Sequence, residues 1–575
     1  MPTSPRRIAF LTLLAAVLGL ACGGAAYALV HLIALLTNVF LFHRVSWVLP
    51  RLRSLHPGPT LVLAAMFGGL VVAMLAKWAP VIRGHGIPEA MEAVLEKQSR
   101  IAPRTAIAKP LSAAIAIGTG GPFGAEGPII VTGGAIGSLM GQVAHVTPSE
   151  RKILLASGAA AGMAATFGSP LAAVVLAIEL LLFEFSTRAF IPLVVSSAVA
   201  GGVHSLVFGS GPLFSVPQHN YAGLAKLPFF AVLGLLCGLL ATLVTEGLFV
   251  TESLYRKLPV GEFWHPIIGA FGFAVIGLAV PAALGVGYDV IGDILAGKLA
   301  LGVLAVIFAA KLSAWWLALG SGTSGGTLAP VLMIGGSFGG VVGVLFTRAF
   351  PGLHASPSAF AVVAMAATFG AATRATFTSI VFLFEITQDY HVILPLMIAT
   401  VLADLVMRSL LDDSLMTEKL TRRGVRVHSD YHVDVLKTTI VRDVMTKDVV
   451  VLGAHATVGD ARAKFAAGRH SAYPIVDDGR LVGIVTRGDL LSYDGDESAD
   501  ACSVSSEDVV CVEETTTLSE ALRLVVEEGV EHLPVVTNDV LVGICTRTDV
   551  MKVRVREFDL DRIQPGASWL RRRVR

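Results

Sequence analysis

The sequence predicts an all-α polytopic membrane domain with broken helices, followed by a smaller α/β soluble tail. Three observations lead there. Of 575 residues, 54% are hydrophobic and 15% charged, and the mean hydropathy of +0.72 exceeds that of a soluble domain. Charge is unevenly placed: residues 421–575 hold 46 Asp, Glu, Lys and Arg, and the first 420 residues hold only 41. Finally, the apolar runs before residue 411 are broken by Gly and Pro, and their pattern occurs twice. The net charge of +1 leaves no basic footprint for a nucleic-acid partner, and the closing RRRVR reads as a solvated end. Cys22, Cys237, Cys502, Cys511 and Cys545 form no CxxC pair, so neither a disulfide framework nor a metal site is indicated.

The N-terminus, MPTSPRRIAFLTLLAAVLGLACGG, starts like a signal peptide, but its apolar run continues past Cys22 to Leu36, too long for one. It is read as the first membrane helix, with Arg6 and Arg7 placing the N-terminus in the cytoplasm. With it, about a dozen apolar runs lie between residues 8 and 411; those at 106–117, 129–141 and 329–345 have only 12 to 17 residues. A crossing needs roughly 20, so these predict helices that stop partway, tolerable where their ends face protein or water.

Two such breaks match. GTGGPFGAEGP (118–128) and GSGTSGGTLAP (320–330) share four glycine or proline positions and a Thr/Ser at an offset of 202, and the same offset joins AATFG at 164–168 to AATFG at 366–370. Beyond these, SPLAAVVLAIE and, after a four-residue shift, ATFTSIVFLFE each end in a carboxylate, Glu179 and Glu385. The chain therefore reads as a repeat spanning roughly 60–210 and 265–411, and broken helices at matching places in two halves point to a transport site.

Glycine lets backbone approach a ligand closely, and a helix start beyond it presents unpaired N–H groups with about half a positive charge. That combination binds anions. A third such turn is GHGIPEAMEAV (84–94), with proline in its first helical turn. Glu126, inside the first turn, has two readings: a carboxylate satisfied by the helix N-terminus, or one that competes with an anion for the same donors.

GHGIPEA (84–90), GAEGP (124–128), GGTLAP (325–330) and FGSPLAAVVLAIEL resemble, in order and spacing, the signatures of the CLC family of chloride channels and proton–chloride antiporters, whose patterns are GSGIP, G[KR]EGP and GxFxP. The resemblance covers residues 60–425. It implies an inverted-repeat fold, a homodimer with one pathway per subunit, and chloride or another small anion, with protons, as the transported species. It implies an anion site lined by Gly84, His85, Gly86, Ile87, Pro88, Gly124, Gly127, Pro128, Gly326, Thr327 and Leu328, with Glu126 as the gating and proton-carrying glutamate. His85 stands where the family has Ser, or Pro in nitrate-selective members. Leu328 replaces the family's Phe, and the central tyrosine of the last helix aligns loosely with Met416. The fluoride-exporting branch alters the first motif too, but Pro128 after Glu-Gly favours the chloride type.

After Arg423 short β-type runs appear. HSAYPIVDDGRLVGIVTRGDLL (470–491) and VEHLPVVTNDVLVGICTRTDVM (530–551) repeat at an offset of 60 and resemble a tandem of CBS domains. The expected boundaries are a membrane domain 1–425, a linker 426–436, CBS domains 437–495 and 503–556, and a basic tail 557–575. The resemblance implies that Thr486, Asp489, Thr546 and Asp549 hold an adenine nucleotide; the residues alone equally fit Asp489 and Asp549 as helix caps. No cofactor is required.

No HExxH, GxSxG or His-plus-Asp constellation appears, so an intramembrane enzyme is set aside. The expected location is a bacterial inner (plasma) membrane, with the CBS domains cytoplasmic. The remaining choice is H+/Cl− exchange, favoured, or a passive gated channel. The family's internal proton glutamate aligns with Leu180, which cannot carry a proton; Glu179 or Glu184 could substitute.

Overall fold

The computed structural model describes residues 5–183, 185–214, 221, 223, 227–424, 436, 439–468, 470–506 and 508–560. It divides into two compact units, 1–430 and 431–575. Glu184, the expected linker apart from Leu436, and the expected tail beyond residue 560 lie outside the described residues.

The first unit is helical. α1 (Pro5–Phe42) is about 57 Å long at the usual helical rise. Then come α2 (Pro59–Trp78), α3 (Ile87–Leu95), α4 (Pro103–Gly118), α5 (Glu126–Val143), α6 (Pro148–Phe167), α7 (Pro170–Ala177, continuing as a π turn Ile178–Leu182) and α8 (Thr187–Phe208). α9 (Leu227–Arg256) connects to a second series in the same order: α10 (His265–Ala279), α11 (Tyr288–Leu295), α12 (Leu301–Gly320), α13 (Leu328–Ala349), α14 (Pro357–Thr373), α15 (Thr376–Thr387) and α16 (Ile393–Leu410), closed by α17 (Glu418–Arg422). Prolines at the starts of α2, α4, α6, α7 and α14 occupy positions whose N–H has no helical partner.

Packing repeats with the order of elements. A Cβ on Gly133 of α5 or on Gly158 of α6 would lie 2.1 Å from the other glycine's carbonyl oxygen. In the second series Gly335, Gly339 and Gly343 of α13 leave no room for a Cβ against Ala364, Phe360 and Pro357 of α14. Such small-residue contacts let helix backbones approach where lipid removes the hydrophobic drive. Two glutamates close the relation reciprocally. Glu179 accepts from the amides of Phe377 (3.1 Å) and Thr378 (2.8 Å) at the start of α15, and Glu385 accepts from those of Leu171 (3.0 Å) and Ala172 (2.7 Å) at the start of α7. Each helix ends in the carboxylate that caps the other's N-terminus.

Among the described residues seven helices are long and apolar enough to cross a bilayer. Leu235, Leu239 and Leu243 form an exposed stripe on α9, as Leu13, Val17 and Leu20 do on α1, a surface suited to lipid. The run at 329–345 lies within a longer helix: α13 has 22 residues and ends at Ala349, two residues before Pro351. One sequence expectation is corrected. The AATFG identity is one helical turn out of structural register. Gly168 ends α6 in the left-handed conformation, and Arg374, 206 positions on, ends α14 in the same way, whereas Gly370 lies inside α14. Both stretches are small-residue helix tails, and that composition suffices to produce the match.

The second unit holds one five-stranded sheet in the order β1-β2-β3-β5-β4: β1 (Leu452–Gly453), β2 (Ala472–Asp477), β3 (Arg480–Thr486), β4 (His532–Thr537) and β5 (Val540–Thr546). Both hairpins turn on two residues with positive φ, Asp478-Gly479 and Asn538-Asp539, the chemistry of tight type I′ turns. Both carry a register irregularity at the same relative place, Ile475/Val476 and Val535/Val536. α18 (Val458–Ala467) and α19 (Arg487–Ser492) accompany the first hairpin, and α20 (Leu518–Glu527) and α21 (Arg547–Leu560) the second. Two apolar clusters, one around Val485 and one around Val535, form the cores.

Candidate functional site

The broken ends of the two series meet. Gly124 and Gly326, separated by the repeat offset, exchange a pair of hydrogen bonds: Gly124 N–H donates to Gly326 O (3.2 Å) and Gly326 N–H to Gly124 O (2.9 Å). Gly325 N–H donates to Gly84 O at 3.4 Å. Gly84 and Gly86 take φ of +91° and +99°, which glycine alone adopts without strain. A Cβ on Gly127 would lie 1.9 Å from His85 O. The turns thus bring the starts of α3, α5 and α13 together, with Ile87 and Pro88 opening α3, Pro128 in the first turn of α5, and Thr327 and Leu328 buried at the start of α13.

Glu126 is the first residue of α5 and is 2% exposed. Its Oε1 accepts from the Tyr288 hydroxyl at 3.1 Å, and its Oε2 has no hydrogen-bond partner among the described residues. The Ala329 amide and the Lys311 ammonium also face the carboxylate. Lys311 and its repeat counterpart Lys109 are fully buried. Lys109 donates to Ile82 O (2.7 Å) and Gly84 O (2.8 Å), and Lys311 to Gly285 O (2.8 Å). Buried amino groups are costly unless hydrogen-bonded or paired; these two donate to backbone carbonyls of the turns, with Glu126 facing Lys311. An amide, a hydroxyl and one lysine around a carboxylate can hold a small anion or that carboxylate, and both would compete for the same donors.

His85 is buried with Nδ1 unpartnered; its neighbours are the Leu415 backbone and the ammonium groups of Lys109 and Lys419. Met416, next to Leu415, is fully buried in the apolar core, its amide bonded to Ser414 Oγ at 3.2 Å. Leu180 is buried in the π turn. Three residues escaped sequence reasoning: Tyr288, Lys109 and Lys311. Their signal was the repeat. GVGYD (285–289) is the counterpart of GHGIP at an offset of 201, with Gly285 and Gly287 again at positive φ, and the two lysines are 202 apart in otherwise apolar runs.

In the second unit Thr486 with Asp489, and Thr546 with Asp549, form reciprocal helix caps: each threonine Oγ1 and N–H donates to the aspartate Oδ2 at 2.7–3.1 Å. Asp549 Oδ1 also accepts from Lys552 at 2.9 Å, whereas Asp489 Oδ1 makes no further hydrogen bond among the described residues. A cavity of about 520 Å³ is lined by Thr546, Arg547, His470 and His532, and one of about 420 Å³ by Thr486 and Arg487. Neither is lined by the aspartates. The volumes suit a small ligand, and an arginine beside a threonine hydroxyl suits a phosphate.

The family model for voltage gated chloride channels matches residues 67–408, and that for CBS domains matches 441–496 and 501–556. The chain is 28% identical over 560 residues to chloride channel protein CLC-f of Arabidopsis thaliana, covering 83% of this chain and 70% of the relative. It is 30% identical over 438 residues to the H+/Cl− exchange transporter ClcA of Vibrio cholerae, covering 74% and 91%. A slow cyanobacterial Cl−/H+ antiporter of known structure matches with TM-score 0.64 at 26% identity, over 72% of this chain and 98% of that one. A eukaryotic CLC transporter matches with TM-score 0.60 over 94% and 97%, where 20% identity bears on fold alone.

Proposed function

The chain belongs to the voltage gated chloride channel (CLC) family, and from that premise we propose that it exchanges chloride for protons across a membrane, with Glu126 as gate and proton carrier. One observation carries the reading: a buried carboxylate with an unpartnered oxygen where three glycine turns and two buried lysines converge. Ionised, Glu126 takes the Tyr288 hydroxyl and the place beside the Ala329 amide and Lys311 that an anion would need. Protonated, it has no net charge, leaves, and admits the anion; the anion's departure lets it return and release the proton. Anion and proton occupancy are therefore linked. The anion pathway comprises Gly84–Pro88, Gly124, Gly127, Pro128, Gly326–Leu328 and Met416. Chloride is favoured over fluoride by the GAEGP motif and by relatives named for chloride.

A second reading, passive conduction, draws on Leu180, which supplies no internal proton acceptor, and on Glu179, whose carboxylate is already engaged at the start of α15. Full-length protein in liposomes separates the two. Exchange requires chloride efflux and proton movement driven by a chloride gradient alone; Glu126→Gln should keep the efflux and abolish the proton movement. Chloride efflux with no proton movement in the unmodified protein establishes passive conduction instead, and no efflux overturns both readings.

We further propose that the protein works as a homodimer in a bacterial inner membrane, with its N-terminus and CBS domains in the cytoplasm, and that the CBS pair regulates transport by binding an adenine nucleotide. Arg547 and Thr546 in the larger cavity, and Arg487 and Thr486 in the smaller, would hold its phosphates.

A further inference from the structure

We propose that the Tyr288 hydroxyl is a shared donor of the anion pathway, bound to Glu126 while the gate is in place and to the transported anion once the gate has left. This rests on the gate reading of Glu126. Tyr288 opens α11, in the second series, and reaches across to Glu126 Oε1 at 3.1 Å. Among the described residues that is its hydroxyl's only hydrogen bond.

The ring is held in place independently of the gate. Phe167 and Phe214 contact it edge-on at centroid distances of 6.3 and 6.1 Å, and Phe167 is itself edge-on to Phe382 at 5.2 Å. The backbone leading to it is also fixed: Lys311 donates to Gly285 O (2.8 Å) and Gly285 N–H donates to Gly120 O (3.2 Å). A phenol so held cannot follow a departing carboxylate. Left behind among apolar side chains it would be an unsatisfied donor, which is costly. An anion in the vacated place meets the same hydroxyl, and it offers the same charged acceptor as the carboxylate. The donor serves gate and substrate in turn, so it need not be rebuilt in each cycle.

A double-mutant cycle tests this, with chloride binding measured by titration calorimetry on the purified full-length protein. Tyr288→Phe keeps the ring and its packing and removes only the hydroxyl. In the E126A background, where no carboxylate competes, adding Y288F should weaken chloride binding about tenfold, the order expected for a lost hydrogen bond to a charged acceptor. In the wild-type background the loss should be several-fold smaller, because gate and anion lose the same donor together. Equal chloride affinity in E126A and E126A/Y288F overturns the proposal, as does an equal loss in both backgrounds. Failure of the gate reading is separately visible: E126A alone would then bind chloride no more tightly than the wild type.

Discussion

At the scale of single residues, the site depends on glycines that no other residue can replace. Gly127 is the clearest case, because an alanine methyl would fall 1.9 Å from the His85 carbonyl oxygen, a backbone atom of the neighbouring turn that cannot move aside as a flexible side chain would. Gly127→Ala is expected to abolish chloride efflux and to lower the yield of monodisperse protein on gel filtration. Gly292 is the control. It lies within α11 with nothing near its hypothetical Cβ, so Gly292→Ala should be neutral or stabilise by about 0.5–1 kcal/mol through helix propensity, with efflux unchanged. The motif that contains Gly127 was legible in the sequence because glycine spacing alone signals close backbone approach. Tyr288 was not, since an isolated tyrosine after a glycine turn has many uses and only the crossing of the two series brings its hydroxyl to Glu126.

At the scale of elements, the reciprocal glutamates account for how α7 and α15 are held. Glu179 looked like a possible proton relay from its place beside Leu180; the structure gives its carboxylate two amides and the Thr378 hydroxyl instead. Glu179→Gln and Glu385→Gln should each destabilise the membrane unit by about 1–3 kcal/mol, the range for hydrogen bonds to a charged group, read as a lower melting temperature in detergent. Glu179→Gln should leave the ratio of proton to chloride movement unchanged; a fall in that ratio would restore the relay. In the second unit the Asp549 cap titrates below its ordinary range. Burial alone would raise the Asp549 carboxyl, but hydrogen bonds from Thr546 and Lys552 outweigh it and hold the group below its ordinary range. A group with a lowered pKa contributes stability above its unfolded value and loses it as pH falls through the folded one. Asp549→Asn should therefore destabilise a 431–575 fragment at neutral pH by about 1 kcal/mol for a weakened cap, read as a lower melting temperature. The difference should vanish in strong acid, below the ordinary carboxylate range.

At the scale of the whole molecule, the proposed regulation predicts that millimolar ATP raises the melting temperature of the full-length chain. Arg547→Ala, in the wall of the larger cavity, should remove that rise while leaving the melting temperature without ATP nearly unchanged. The same test with Asp489→Ala and Asp549→Ala would be confounded, because both aspartates cap helices. A rise that survives Arg547→Ala would remove that arginine from the nucleotide site, and no rise with any adenine nucleotide would leave the CBS pair without this ligand.

What the sequence determined by itself follows from local rules. Hydropathy separates lipid-soluble from water-soluble segments, glycine spacing marks turns that other residues cannot make, and self-similarity shows the duplicated series, because each acts within a few residues of chain. The duplicated β-type stretches of the second unit, 470–491 and 530–551, were readable in the same way from their offset of 60. The tertiary structure decided what depends on which segments meet. It moved the register of the second half by about one turn from the AATFG identity, engaged the Glu179 carboxylate at the start of α15, and placed a buried lysine and a phenol beside Glu126. These are contacts between residues tens to hundreds of positions apart. The energy of a buried charge or an unpaired hydroxyl is set by its neighbours in space, and one sequence read along its length does not contain that information.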